Sequence, residues 1–232
     1  MIKNIFNHLI NILFPVECLG CEWYGAYVCD VCLNSIRINE ESMCLQCHKH
    51  TLLGRICKEC EEDFYVDRVL YAADYDQELV HKLIWNMKYN FVKKMGESIA
   101  LILTKYIQQH HLIMMLNLAQ AVLVPIPLHK KRFKYRGFNQ AEEISKALSE
   151  ITGWEVDVLL ERNRNTSSQL GYNKKERMLN MKNAFQVIKN IPETVILIDD
   201  VVTTGETLNQ AAKVLKEGGA KKVYALVVAK RE

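Results

Sequence analysis

Near its carboxyl end the chain reads Ile198-Asp199-Asp200-Val201-Val202-Thr203-Thr204-Gly205-Glu206-Thr207, directly after the apolar run Thr194 to Ile198. Two adjacent carboxylates at the tip of a buried strand can accept hydrogen bonds from vicinal hydroxyls or help to hold a magnesium ion. The Thr-Thr-Gly-Glu-Thr turn then opens a helix whose unbonded N–H groups, dipole and hydroxyls make a seat for an anion. Diol acceptors beside a phosphate seat describe a ribose 5-phosphate. The plainer alternative is a capping box of Thr203 and Glu206 with the aspartates in a solvated loop. It leaves two carboxylates at the end of an apolar strand without a purpose.

A second group of reactive side chains lies at the other end. All 8 cysteines fall between residues 18 and 60, as Cys18-x-x-Cys21, Cys29-x-x-Cys32, Cys44-x-x-Cys47 and Cys57-x-x-Cys60. A C-x-x-C turn brings two thiolates to one tetrahedral metal ion, and a second turn completes the shell, so four turns supply two zinc sites. A disulfide framework would need an oxidising compartment, for which the sequence shows no export signal. A redox C-x-x-C occurs singly at a helix start and not four times in a row. Sites filled by four sulfurs have no open position, so the zinc is structural. The cysteines can be used sequentially or alternately. Loops of 7 and 9 residues inside the two halves favour sequential use, and His48 and His50 read as solvated loop residues.

These groups need elements to hold them, and the rest of the chain has the pattern of an α/β domain. Val69, Tyr71, Ala73 and Tyr75 alternate as in a strand, and helical spacing covers Gln77 to Met87 and Phe91 to about Gln109. Ala121 to Ile126 reads as a buried strand ending in a loop. Phe138 to Ile151 reads as a helix, Val156 to Leu160 as a strand, Thr194 to Ile198 as an apolar strand, Thr207 to Lys216 as a helix, and Val223 to Val228 as a last buried strand. Apolar strands alternating with helices imply a parallel sheet covered on both faces, with ligands at the carboxyl ends of its strands. Neither a glycine-rich dinucleotide fingerprint nor a P-loop lysine motif is present.

The whole chain has 232 residues, 49% of them hydrophobic and 25% charged, which excludes collagen-like, low-complexity and wholly disordered proteins. Residues 1–65 carry 5 basic and 9 acidic side chains, while the remaining 167 carry a net charge of +7, so phosphate chemistry belongs to the longer part. We therefore expect a small zinc-ribbon module over residues 1–65 and a larger domain over residues 66–232. No run reaches the ~18 apolar residues of a membrane span. The spacing of Ile2, Ile5, Phe6, Leu9, Ile10 and Leu13 is that of a short amphipathic helix docking on its own protein, not of a signal peptide, and a cytoplasmic location is expected.

The residues from Val195 to Thr207 resemble the signature of the type I phosphoribosyltransferases, which bind 5-phosphoribosyl 1-diphosphate. Further stretches narrow the resemblance to the ComF family of competence proteins. These are the C-x-x-C array, Val124-Pro125-Ile126-Pro127-Leu128, Arg136-Gly137-Phe138-Asn139-Gln140, and Ser168-Gln169-Leu170 with Arg177 and Asn180 ahead of Ala184-Phe185. The resemblance implies a type I phosphoribosyltransferase-like parallel sheet flanked by helices, with an N-terminal double zinc ribbon. It also implies a role with single-stranded DNA in natural transformation, beside a DNA-translocating helicase. Residue by residue, it casts Asp199 and Asp200 as the catalytic pair on the ribose hydroxyls, with Mg²⁺ nearby. Thr203, Thr204, Gly205, Glu206 and Thr207 would enclose the 5-phosphate.

The same resemblance places the diphosphate at the loop after the strand 121–126. Its Lys130, Lys131, Arg132, Lys134 and Arg136 could neutralise the leaving group, and the stretch Arg162 to Arg177 would close over the site. Phe133 and Tyr135 among those cations also suit stacking on DNA bases, so one patch could serve diphosphate or a single strand. Two functions compete: a competence protein that binds the diphosphosugar, and an active phosphoribosyltransferase acting on a nitrogen nucleophile. The binding role is favoured because no segment plainly defines a pocket for an acceptor base. All cysteines are committed to C-x-x-C pairs, which disfavours an amidotransferase, and no helix-turn-helix reader is visible.

Overall fold

A computed structural model describes residues 16–163 and 184–231. The amphipathic N-terminal reading and the stretch holding Ser168, Gln169, Leu170, Arg177 and Asn180 lie outside the described residues. The cysteine-rich segment holds one short helix, α1 (Asp30–Ser35), and a 3-10 turn at Leu52–Gly54. Then come β1 (Arg68–Asp74), α2 (Glu78–Tyr89), α3 (Met95–Gln109), α4 (Leu112–Met115), β2 (Val122–Pro125), α5 (Lys130–Arg136) and α6 (Gln140–Thr152). The chain continues through β3 (Glu155–Val156), β4 (Leu160–Arg162), β5 (Phe185–Val187), β6 (Thr194–Val202), α7 (Glu206–Glu217) and β7 (Lys222–Lys230).

Five strands form one parallel sheet in the order β1-β7-β6-β2-β3, and β4 pairs with β5 in a separate antiparallel ribbon. The strands are apolar on both faces because both faces are covered. Ile196 and Ile198 of β6 face one core with Leu226 and Val228 of β7, and this core takes the stripe Val80, Leu83, Ile84 and Met87 of α2 together with α3 and α6. Val195 and Leu197 face the other core, filled by Leu208, Ala211, Ala212 and Leu215 of α7.

The cysteine-rich segment wraps the outer edge of β1. The Asn39 amide donates to Ala72 O at 2.8 Å, and that of Ile56 to Asp67 O at 3.1 Å. Its first half, with Cys18, Cys32 and Leu33, packs into the first core; its second half, with Cys44, Leu45 and Ile56, packs into the second. An edge strand that would otherwise present unpaired backbone is thereby partly covered.

Three local readings differ from expectation. The residues from Lys130 to Arg136 are a helix and not a loop, because the His129 side chain caps the start by accepting from the Lys131 amide at 3.2 Å. Gly137, at φ 75°, closes the end. The strand expected over Val156 to Leu160 is divided between two sheets, and the interruption falls at Asp157, whose carboxylate pairs with Lys189 at the surface. Strand β6 runs beyond Ile198 to Val202, because β7 keeps pairing with it as far as Val202 and Lys230.

Asn209, near the start of α7, ties the cysteine-rich segment to the sheet domain. Its Oδ1 accepts from the Tyr65 amide at 2.7 Å and its Nδ2 donates to Asp63 O at 2.9 Å, with the side chain buried. Asn209→Ala strands both partners and should cost about 2–3 kcal/mol. A lower urea midpoint at unchanged slope is the expected result; a midpoint within error of wild type would show that these bonds are replaced by water.

Candidate functional site

The sheet order creates a single place where connections diverge. From β2 the chain moves outward to β3, and from β6 it moves the other way to β7, so the crevice lies between the carboxyl ends of β2 and β6. Pairing of β2 with β6 ends at Pro125 and Ile198, and the Ile126 amide still donates to Ile198 O at 2.9 Å. Asp199 is the first residue of β6 beyond that ladder.

Two carboxylates stand here against an apolar core. Asp200 is 8% exposed, and its Oδ1 lies 2.7 Å from Nζ of Lys88, which projects from the last turn of α2. Burial, and then the charge of Asp200, push the Asp199 carboxyl up to about 7. The Asp200 amide, donating to Asp199 Oδ1 at 2.9 Å, works in the opposite direction, as do the charges of Lys88 and Arg162. The half-buried Arg136 guanidinium is bonded to Gln140 Oε1 at 2.9 Å and sits 5.9 Å from the ring of Tyr89. Its burial lowers its pKa, against the two aspartates, which favour its charge. Cations thus converge on the acid pair from α2, α5 and β4.

The turn after β6 has the free donors that an anion seat needs. Helix α7 starts from Gly205 at φ 75°, without a side-chain cap. The capping box does not form, since Glu206 Oε1 accepts instead from Gln210 Nε2 at 2.9 Å. Among the described residues, no protein acceptor meets the amides of Thr203, Thr204, Gly205, Glu206 or Thr207. Five successive N–H groups at a helix start, beside a carboxylate pair, can hold a phosphate monoester whose sugar hydroxyls face the acids.

Lys130, Lys131 and Arg132 lie on α5, directly after β2. Lys130 pairs loosely with Glu161 at 3.0 Å on the surface. Burial, then the charges of Arg162, Lys131, Arg132 and Lys130, hold the His129 pKa down. Arg177 lies outside the described residues. Sequence reasoning passed over Lys88 and took Arg162 only as the start of a closing stretch, not as a charge facing the acids. Lys88 was discoverable, because it falls four residues after Ile84 on the apolar stripe of α2, a face where a cation needs a partner. Arg162, buried and 5.4 Å from the ring of Phe185, gives no signal in a short β-stretch.

The cysteines divide sequentially. The Sγ atoms of Cys18, Cys21, Cys29 and Cys32 all lie within 4.8 Å of one another, as do those of Cys44, Cys47, Cys57 and Cys60. Four thiolates about 2.3 Å from a zinc ion stand roughly 3.8 Å apart, so both groups fit the ion. Although burial opposes it, amides of Cys29, Cys21 and Gly20 aimed at Cys18 hold that thiol down to about 6. Amides of Cys57, Cys47 and Gln46 hold the Cys44 thiol down to about 7, again against burial. Neighbouring thiols, Cys21 first, push Cys32 up to about 12, and burial does the same to Cys60. A bound dication would relieve this mutual repulsion and let all four ionise.

Residues 97–232 match the family model described as the phosphoribosyl transferase domain. The chain belongs to that family. Among its relatives, "Competence protein F" of Haemophilus influenzae is 28% identical over 84% of this chain and 93% of its own length. "DNA utilization protein YhgH" of Escherichia coli is 28% identical over 83% of this chain and 86% of its own. "Competence protein ComFC" of Streptococcus pneumoniae is 41% identical over 45% of this chain and 46% of its own. The resemblance to ComF competence proteins with a double zinc ribbon is borne out. Of solved structures, the UMP synthase of Leishmania donovani aligns at a TM-score of 0.36 and 18% identity, over 64% of this chain and 24% of its own.

Two measurements check the site. An acid whose folded pKa is raised from 3.8 to about 7 adds stability in full below about pH 4, and this is lost as the pH climbs through 7. Asp199→Asn should therefore stabilise the ligand-free protein at pH 8, by up to about 4 kcal/mol, with a smaller gain at pH 5; an equal effect at both values would contradict the raised pKa. Elemental analysis should find two zinc ions per chain, and a count of one would leave one four-sulfur group without its ion.

Proposed function

We propose that the protein binds 5-phosphoribosyl 1-diphosphate with Mg²⁺ in the crevice between β2 and β6, and that it serves in handling single-stranded DNA during natural transformation. In this reading residues 1–65 are a zinc-ribbon module and residues 66–232 the sugar-binding domain. The observation that carries it is the row of unbonded amides from Thr203 to Thr207 beside Asp199 and Asp200. The amides take the 5-phosphate and the acids take the ribose hydroxyls; Asp199 and Asp200 would also help to hold Mg²⁺, which would offset the negative charge of the diphosphate. Lys130, Lys131, Arg132 and Arg136 neutralise the diphosphate, with Arg177 as a further contact.

An exposed aromatic strip supports the DNA role. Trp85 and Tyr89 stand with ring centroids 5.6 Å apart, and Phe91 and Tyr135 are 5.5 Å apart, with Arg136 beside Tyr89. Rings alternating with cations suit a flexible single strand, where bases stack and the backbone follows positive charge. The relatives named for competence and DNA utilisation point the same way. A DNA-translocating helicase is the partner we propose, in the cytoplasm, and exposed Trp23, Tyr24 and Val31 give the zinc-ribbon module a surface for it. Among the described residues no helix is long and apolar enough to cross a membrane. A second reading, transfer of phosphoribose to a nitrogen nucleophile, is favoured by the cations gathered where a diphosphate would leave.

Calorimetric titration with the diphosphosugar and Mg²⁺ tests the site: Asp199→Asn with Asp200→Asn should lose binding at least 100-fold while circular dichroism is unchanged. Binding equal to wild type would remove the site assignment. For DNA, replacing Lys130, Lys131 and Arg132 with alanine should weaken oligonucleotide binding and lower the salt slope by about 2, near 0.7 per lost phosphate contact. An unchanged slope takes α5 out of the DNA path. Release of diphosphate on incubation with a panel of bases would favour the second reading over the first.

A further inference from the structure

The second cysteine group does more than staple its own loop. Its knuckle, Cys44-Leu45-Gln46-Cys47, lies directly on the turn that forms the anion seat. Gln46 Nε2 donates to Thr204 O at 3.0 Å. Leu45 is buried over Gly205, so closely that a Cβ added to that glycine would stand 2.2 Å from Leu45 Cδ2. Phe64 Cε1 would stand 3.5 Å from the same Cβ, and His48 Nδ1 reaches Lys230 Nζ at 3.4 Å, at the end of β7. Gly205 is held at φ 75°, the left-handed conformation from which α7 starts.

We propose that this knuckle positions the phosphate seat: metal at Cys44, Cys47, Cys57 and Cys60 holds Leu45 and Gln46 in place, and these hold Gly205 and Thr204 so that the amides of Thr203 to Thr207 converge on the phosphate. The first cysteine group packs on the opposite face of the sheet, near α2 and α3, and has no such role. This rests on the reading of the crevice as a phosphosugar site. The mechanism is steric and local. Leu45 leaves the αL turn no room to relax inward, and the Gln46 amide anchors the carbonyl that precedes Gly205. An unconstrained turn would sample arrangements in which its amides diverge, and binding would then carry the ordering cost.

The test uses the full-length zinc-loaded chain and three variants, Leu45→Ala, Gln46→Ala and Leu45→Met, each shown to keep two zinc ions. Affinity for the diphosphosugar with Mg²⁺ is measured, and so is hydrogen exchange, without ligand, of the Asn209 amide, which closes the turn by donating to Gly205 O at 2.8 Å. Leu45→Ala and Gln46→Ala should each weaken binding about 5–20-fold and speed exchange in that turn, while Leu45→Met, which refills the contact, should restore both. Wild-type affinity in both alanine variants, or unaltered exchange, would overturn the proposal. If wild type does not bind the sugar but exchange still responds to Leu45→Ala, the phosphosugar reading falls while the mechanical coupling of knuckle to turn stands.

Discussion

Two carboxylates on consecutive residues of a buried strand are the arrangement on which the rest of the molecule depends. Asp199 and Asp200 cannot both stay ionised at the rim of an apolar core unless positive charge is brought to them. Lys88, Arg136 and Arg162 arrive from three elements distant in sequence, and the backbone contributes the Asp200 amide. Even so, burial keeps the Asp199 carboxyl far above its ordinary range. The unbonded amides of Thr203 to Thr207 follow directly on this acid pair in the chain.

The cysteine-rich segment bears on that site from the edge of the sheet. One half joins the core under α3 and under α2, the helix that delivers Lys88. The other joins the core under α7, the helix that follows the turn of unbonded amides. Four-sulfur sites suit this task because they make a rigid knuckle from a few residues, while the segment's apolar side chains are divided between the two cores of the sheet and form none of their own. Rigidity at Leu45 and Gln46 is then passed to Gly205 and Thr204 through direct contact.

Much of this was legible in the residues. The C-x-x-C spacing alone established two metal shells, and the short loops within each half already favoured the sequential pairing that the Sγ positions display. The acid pair, the turn after it and the alternation of apolar strands with helices were likewise plain, because local periodicity and spacing dictate them. Less visible was where elements stop. The residues from Lys130 to Arg136 read as a loop because the resemblance puts one after the strand 121–126 and their cations and two aromatic rings show no apolar stripe, whereas His129 and Gly137 as caps make a helix. β6 outlasts its apolar run because β7 goes on pairing with it, a non-local hydrogen-bond ladder that no window of sequence records.

By itself, then, the sequence determined the chemistry present: thiolates for two metal ions, two acids, an amide-rich turn and a surplus of cations after residue 65. Tertiary structure alone decided which of those cations meet the acids and where the metal knuckles rest. Lys88 reaches Asp200 across 112 positions, and Gln46 reaches Thr204 across 158. Contacts of that separation are set by the order of strands in the sheet and by the packing of its two faces, so they belong to the fold as a whole and leave no trace in local pattern.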